Sequence, residues 1–215
     1  MATRSAVINV MAKAADKAAR ALKRDFGEVS QLHVSMKGPG DFVSTADHKS
    51  ERTIREELSK ARPNFGLLME ESGAIPGSDP DHTWIVDPLD GTTNFLHGVP
   101  HFSISIALQA KGEIVAGLVF DPIRDETFWA EKGIGAYCND RRMRVSGGKQ
   151  LTESLLFTGI PFIETCSCET SPKSRFRARA ALSAALAITL MTAERVAMGL
   201  YLNLWRVRRR SRRRC

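Results

Sequence analysis

The stretch Trp84-Ile85-Val86-Asp87-Pro88-Leu89-Asp90-Gly91-Thr92-Thr93-Asn94-Phe95 decides how this chain is read. Trp84 to Val86 is a short apolar run ending in an acid, the pattern of a buried strand that delivers a side chain at its C-terminal end. Asp87 and Asp90 stand three apart around Pro88, whose fixed φ favours a tight turn, so both carboxylates can face one point beyond the strand. Two anions at that spacing call for a cation. Oxygen ligands without His or Cys suit a hard ion such as Mg²⁺, which keeps waters and binds substrate phosphate. Gly91-Thr92-Thr93-Asn94 permits close backbone approach and can open a helix whose free amides hold an anion. On the bare spacing, Asp-x-x-Asp-Gly reads as a capped turn. Glu70 and Glu71 alter that reading, because they close the preceding apolar run Phe65-Gly66-Leu67-Leu68-Met69. A parallel or antiparallel neighbour would bring one of them to the edge that Asp87 occupies, and three carboxylates repel one another unless a cation lies among them.

Outward from this segment, apolar residues at Val7, Val10, Met11, Ala14, Ala18 and Leu22 recur with helical spacing and predict an amphipathic helix. A second helix is predicted from near Ala46 to Ala61, with Ile54, Leu58 and Ala61 inward, Ser44 or Thr45 as N-cap and Pro63 as stop. Residues 65–69 and 84–86 are predicted strands, with Ala74 to Asp81 as a loop between them. Phe102, Ile104, Ile106 and Leu108 alternate, Lys111-Gly112-Glu113 turns the chain, and Ile114 to Phe120 returns, which predicts an antiparallel hairpin. Shorter strands are expected around Thr127–Glu131, Ala136–Val145 and Ser154–Thr158. Helices followed by a meander read as α+β.

The 215 residues can bury an ordinary core, and 43% apolar with 26% charged residues describe a globular chain. The net charge of +7 divides unevenly. Residues 1–162 hold 19 Lys+Arg against 21 Asp+Glu, a balance of −2, whereas residues 163–215 hold 12 against 3, a balance of +9. A basic pI therefore describes the tail and leaves the body mildly acidic. Four cysteines at spacings that match neither a disulfide framework nor a zinc ribbon point to a reducing, cytoplasmic compartment. Lys13, Asp16, Lys17 and Arg20 interrupt any secretory core, and the uncharged run Ala180–Ala193 is shorter than the ~20 residues needed to span a bilayer.

Glu70-Glu71-Ser72 followed by Asp87-Pro88-Leu89-Asp90-Gly91-Thr92-Thr93-Asn94-Phe95 resembles the inositol monophosphatase family of metal-dependent phosphatases. The resemblance takes in the first helix, residues 37–47, the hairpin and residues 154–162, roughly three quarters of the chain. It implies an α+β, layered α/β sandwich, an antiparallel sheet with a packed helix pair, followed by a second α/β domain that is truncated or altered here. It implies Glu70, Asp87 and the Leu89 carbonyl as ligands of a first Mg²⁺, with Asp87 and Asp90 serving a second. Glu70 would also touch a third ion. Thr92 with Asp47 would orient and deprotonate the attacking water, which places Asp47, Thr92 and Glu70 as catalytic. Gly91, Thr92 and Thr93 would bind the substrate phosphate. The implied reaction is direct hydrolysis of a phosphate monoester such as inositol 1-phosphate, inhibited by lithium, in a homodimer. Read alone, Asp47 is a helix cap and Thr92 a turn hydroxyl. Lys37 is a further candidate phosphate contact, and the spacing of His97 and His101 demands no metal.

Residues 1–162 are thus expected as the metal- and phosphate-binding domain and 163–215 as an atypical basic tail. The family's second domain carries a Trp-Asp motif whose aspartate serves the second metal. After Phe162 this sequence has no Trp-Asp pair, and its acids there are Glu164, Glu169 and Glu194. Three accounts fit the tail: a basic arm in which residues 206–215 bind nucleic acid or an anionic membrane, a helical replacement domain, or GC-rich coding sequence read out of phase, which is the favoured one. The rival function from another class is a catalytically impaired family member that binds nucleic acid or membrane through its Arg-rich end.

Overall fold

The structure is a computed structural model that describes residues 4–28, 34–38 and 41–144. The expected strand at Ser154–Thr158 and all of the 163–215 tail lie outside the described residues. Two helices lead. Helix α1 (Ala6–Phe26) begins at Ser5, whose hydroxyl accepts the Ile8 amide at 3.3 Å, and buries Ile8, Met11, Ala15, Ala18 and Leu22. Helix α2 (Thr45–Ala61) follows the small ribbon formed by β1 (Val34–Gly38) and β2 (Asp41–Ser44). Its N-cap is Ser44, closed by a reciprocal capping box with Asp47, while Ala46, Ile54 and Leu58 face the core and Ala61 is only half-buried. Lys13 and Lys17 of α1 both reach Glu57 of α2, at 3.5 and 2.7 Å, across the outer side of the pair.

The remaining strands are β3 (Phe65–Met69), β4 (Gly73–Ile75), β5 (Asp79–Asp90), β6 (Ser103–Ala110), β7 (Glu113–Asp121), β8 (Glu126–Glu131), β9 (Gly135–Cys138) and β10 (Arg141–Arg142). They form one sheet in the order β10-β9-β8-β7-β6-β5-β3-β4, antiparallel except where β3 runs parallel to β5. The sheet is therefore mixed rather than purely antiparallel, and the helix pair packs on one face of it. That face carries Leu67, Met69, Trp84, Val86, Ile104, Ile106, Leu118 and Trp129, which with α1 and α2 make the main core. Alternation sends Ile85, Ala107, Val119 and Phe128 to the other face.

Three local expectations need correction. Residues 74–81 are not all loop: Ala74 and Ile75 belong to the edge strand β4, and Asp79 already pairs with Phe65 at the start of β5. The region 136–145 is not one strand but β9 and β10, because Asn139 adopts φ 52° and its carbonyl accepts the Trp129 indole N–H at 3.0 Å. The Lys111-Gly112 turn does match its expectation, since both residues take positive φ, 50° and 85°, the twist that a two-residue hairpin requires. The third correction concerns Pro88. The chain does not turn there but stays extended through Asp90, with an extra residue between Asp87 and Asp90 relative to their partners Ser105 and Ser103 of β6. Proline has no N–H for the ladder, so a bulge is where a strand tolerates it.

Candidate active site

The parallel pairing of β3 and β5 sets Glu70 beside Asp87. Met69 lies opposite Val86, and the Glu70 amide donates to the Val86 carbonyl at 3.1 Å. Both strands thus end at the same edge, where the bulge carries Asp87 and Asp90 forward. The two aspartates are each 8% exposed. Asp87 accepts the Leu89 amide at 3.2 Å and stands close enough to Glu70 for the two carboxyl groups to share a hydrogen bond. Its carboxyl is pushed well above the usual range, first by burial, then by the charges of Glu70, Asp90 and Asp47. All three of those charges are negative.

After Asp90, Gly91 takes φ 95° and caps the five-residue helix α3 (Thr92–Leu96). That left-handed conformation suits glycine, and it turns the chain so that Thr92 and Thr93 begin a helix whose first amides have no intrahelical acceptor. Phe95 locks the turn in place. It is fully buried, with ring centroids 5.6 Å from Phe26 and 5.0 Å from Phe102. The Thr92 hydroxyl lies 2.9 Å from Asp47 Oδ1 and 3.0 Å from the Leu89 carbonyl oxygen, both acceptors for its single proton. Asp47 Oδ2 accepts the amide and hydroxyl of Ser44 at 2.8 and 2.6 Å. Asp47 is therefore a helix cap through one oxygen and a partner of Thr92 through the other. Burial raises its carboxyl above the ordinary value, against the hydrogen bonds from Ser44 and Thr92, which pull it down.

The structure thus gathers Asp47, Glu70, Asp87, Leu89, Asp90, Gly91, Thr92 and Thr93 around one sheet edge. Lys37 has its backbone in β1, and its side chain lies outside what is described. His97 Nδ1 stands 2.7 Å from the Thr93 carbonyl, and the His101 carbonyl accepts the Asn94 side-chain amide at 2.8 Å, so both serve the loop. Sequence reading missed Ser50, whose hydroxyl donates to the Pro88 carbonyl at 2.7 Å, and Glu51, which accepts the amides of Glu71 and Ser72. Their signal was present: Ser50 and Glu51 lie three and four residues after Asp47, on its helical face.

The donors at this edge are carboxylates and a backbone carbonyl, the set that suits a hard divalent cation. Among the described residues no group of three or more His, Cys, Asp or Glu side chains is placed to hold a metal ion. The fit is one of donor chemistry and of negative charge massed on Asp87. A cavity of 630 Å³ lined by Gly112–Gly117 and Ala130–Ala136 lies at the other end of the β6–β7 hairpin and has no part in this cluster.

A family profile described as "Inositol monophosphatase family" matches residues 3–207. The chain belongs to the inositol monophosphatase family. Its match to the family runs past residue 162 into the segment that composition set apart as a basic tail. The chain is 58% identical over 160 residues to an inositol-1-monophosphatase of Mesorhizobium japonicum, covering 74% of this chain and 60% of that one. It is 43% identical over 159 residues to the Nus factor SuhB of Pasteurella multocida, covering 74% and 60%. The crystal structure of the extragenic suppressor protein suhB from Bartonella henselae superposes with a TM-score of 0.67 at 62% identity, over 68% of this chain and 57% of that one. The chain thus spans about 60% of the length of the curated relatives it matches. Like other members of the inositol monophosphatase family, it combines a mixed sheet with a packed helix pair. Among the described residues no helix is long and apolar enough to cross a membrane.

Proposed function

We propose that this chain is a Mg²⁺-dependent phosphatase that hydrolyses a phosphate monoester, with inositol 1-phosphate as substrate. The observation that supports it best is Asp87, buried and pressed by Glu70, Asp90 and Asp47, one turn of chain away from the Thr92–Asp47 pair. Glu70, Asp87, the Leu89 carbonyl and Asp90 would hold Mg²⁺. When bound, Mg²⁺ supplies positive charge that stabilises the phosphoryl oxygens and the departing alkoxide.

The chain's own groups do the rest. Gly91, Thr92 and Thr93 present amides to the substrate phosphate at the opening of α3. The Thr92 hydroxyl, held by Asp47 and the Leu89 carbonyl, keeps lone pairs free to accept a hydrogen bond from a water aimed at phosphorus. Asp47, through Thr92, then takes up the proton as the water attacks, a task that burial favours by raising its affinity for protons. Water forms the new phosphorus–oxygen bond as the bond to the ester oxygen breaks, and the departing alkoxide takes a proton from solvent to leave as the alcohol, without a covalent intermediate. Lithium inhibition, a homodimer and a cytoplasmic location accompany this reading as expectations from the family.

The test is phosphate release from inositol 1-phosphate with and without Mg²⁺, in the full chain and in Asp87→Asn. Mg²⁺-dependent release that Asp87→Asn lowers by 10²-fold or more, on the order that one positioned charge supplies, is expected. Equal release in excess EDTA, or an active Asp87→Asn, would overturn the reading.

A second reading draws on the relatives named Nus factor SuhB together with the basic tail. In it residues 206–215 engage RNA while the body catalyses weakly. Residues 1–162 then form the catalytic domain.

A further inference from the structure

The face of α2 that looks into the site carries a carboxylate to which the reaction above gives no task. Glu51 is one helical turn beyond Asp47 and 6% exposed. Its two oxygens accept different backbone amides: Oε2 takes that of Glu71 at 2.8 Å and Oε1 that of Ser72 at 3.0 Å. Those amides belong to the two residues that directly follow Glu70. On its other side Glu70 is tied to β5, its own amide donating to the Val86 carbonyl at 3.1 Å. The backbone of Glu70 is therefore clamped from before and after, by the sheet and by the helix.

We infer that Glu51 is a positioning residue that fixes Glu70 for cation binding. The inference rests on the metal-centre reading above and deepens it. A carboxylate is the side chain that fits this task, because each of its oxygens can accept from one amide, whereas glutamine offers a single acceptor oxygen and would set an N–H₂ group against the second amide. Ligand groups whose supports are removed lose affinity even when they remain in place, typically by about 10- to 100-fold. Glu51 thus acts through Glu70 and touches neither substrate nor cation. Ser50, its neighbour on α2, does the equivalent for the Pro88 bulge, so one helix face orients both strand ends.

The experiment uses the full chain as wild type, Glu51→Gln, Glu51→Asp and, as a control on the exposed side of α2, Glu56→Gln. Mg²⁺ binding is measured by titration calorimetry, and amide hydrogen exchange at Glu71 and Ser72 is followed in EDTA. Glu51→Gln is expected to weaken Mg²⁺ binding about 10-fold or more and to speed exchange at both amides. Glu51→Asp keeps both acceptors on a shorter stem and should fall between, which keeps the test open should Glu51→Gln fold poorly. Glu56→Gln should match wild type. Faster exchange with unchanged Mg²⁺ affinity would show that Glu51 only staples a turn, and would overturn the inference. A wild type that takes up no Mg²⁺ overturns the metal centre itself, a failure told apart because it appears before any substitution is made.

Discussion

Asp87 is the residue on which burial and charge weigh most heavily, and its electrostatics make a prediction separate from turnover. Its carboxyl holds a proton in the folded state over a range where the unfolded chain has already lost it, since burial and the charges of Glu70, Asp90 and Asp47 raise it above 3.8. Across that range the folded state binds more protons, so the free energy of unfolding falls as pH rises from the ordinary carboxylate value through the raised one. Above the window the full repulsion remains. Asp87→Asn keeps the shape and an oxygen for the Leu89 amide but cannot charge. In EDTA its melting temperature should therefore exceed that of wild type at neutral pH, by about 2–4 °C for each kcal/mol of repulsion relieved, and the gap should close towards about pH 4. Calorimetry of the two proteins across that range checks it; parallel curves would remove the repulsion account. The substitution proposed to lower activity is thus also expected to stabilise the metal-free fold.

At the scale of elements, the site depends on β3 and β5 ending in register, and a glycine far from the chemistry helps set that register. A Cβ on Gly77 would overlap the Asn64 carbonyl oxygen, the Gly66 amide nitrogen and the carbonyl carbon of Phe65. These are backbone atoms and cannot swing aside. The same contact lets the Asp79 amide reach the Asn64 carbonyl at 2.8 Å, where β5 begins. Gly77→Ala should cost about 1–3 kcal/mol, read as a lowered urea midpoint with unchanged slope. An unchanged midpoint would mean that the 76–78 segment yields freely. The sequence pattern made the long elements legible: helical spacing located α1 and α2, alternation and a Lys-Gly turn located the β6–β7 hairpin, and two acid-ended apolar runs located β3, the end of β5 and with them the candidate site. It missed what depends on pairing partners. Nothing local to Ala74-Ile75 announces an edge strand, and Pro88 argues for a turn until β6 supplies the partner that makes it a bulge. Helical spacing sets Glu51 on the Asp47 face of α2, but its partners are not legible there, because an acid on a helix reads as solvated until the fold brings the amides of Glu71 and Ser72 to it.

Across the whole molecule, charge is segregated: a body at −2 and a tail at +9, with seven arginines among residues 206–215. An acidic body suits a site that concentrates carboxylates for cations, and it contributes nothing to holding a polyanion. The second reading assigns affinity for RNA to the arginine run, which would neutralise phosphates and release their counterions whatever the base sequence. Each phosphate neutralised on a single strand steepens the log–log salt slope by about 0.7, so full engagement of the run gives a slope near −5. Binding of a short single-stranded RNA, followed by fluorescence anisotropy at several salt concentrations, should show a slope of about that size in the full chain. Deleting residues 206–215 should abolish it, and Asp87→Asn should leave it unchanged, since that carboxylate lies in the body. A shallow slope, or binding that survives the deletion, would remove the tail from any account of RNA contact. The phosphatase would then be the chain's one proposed activity.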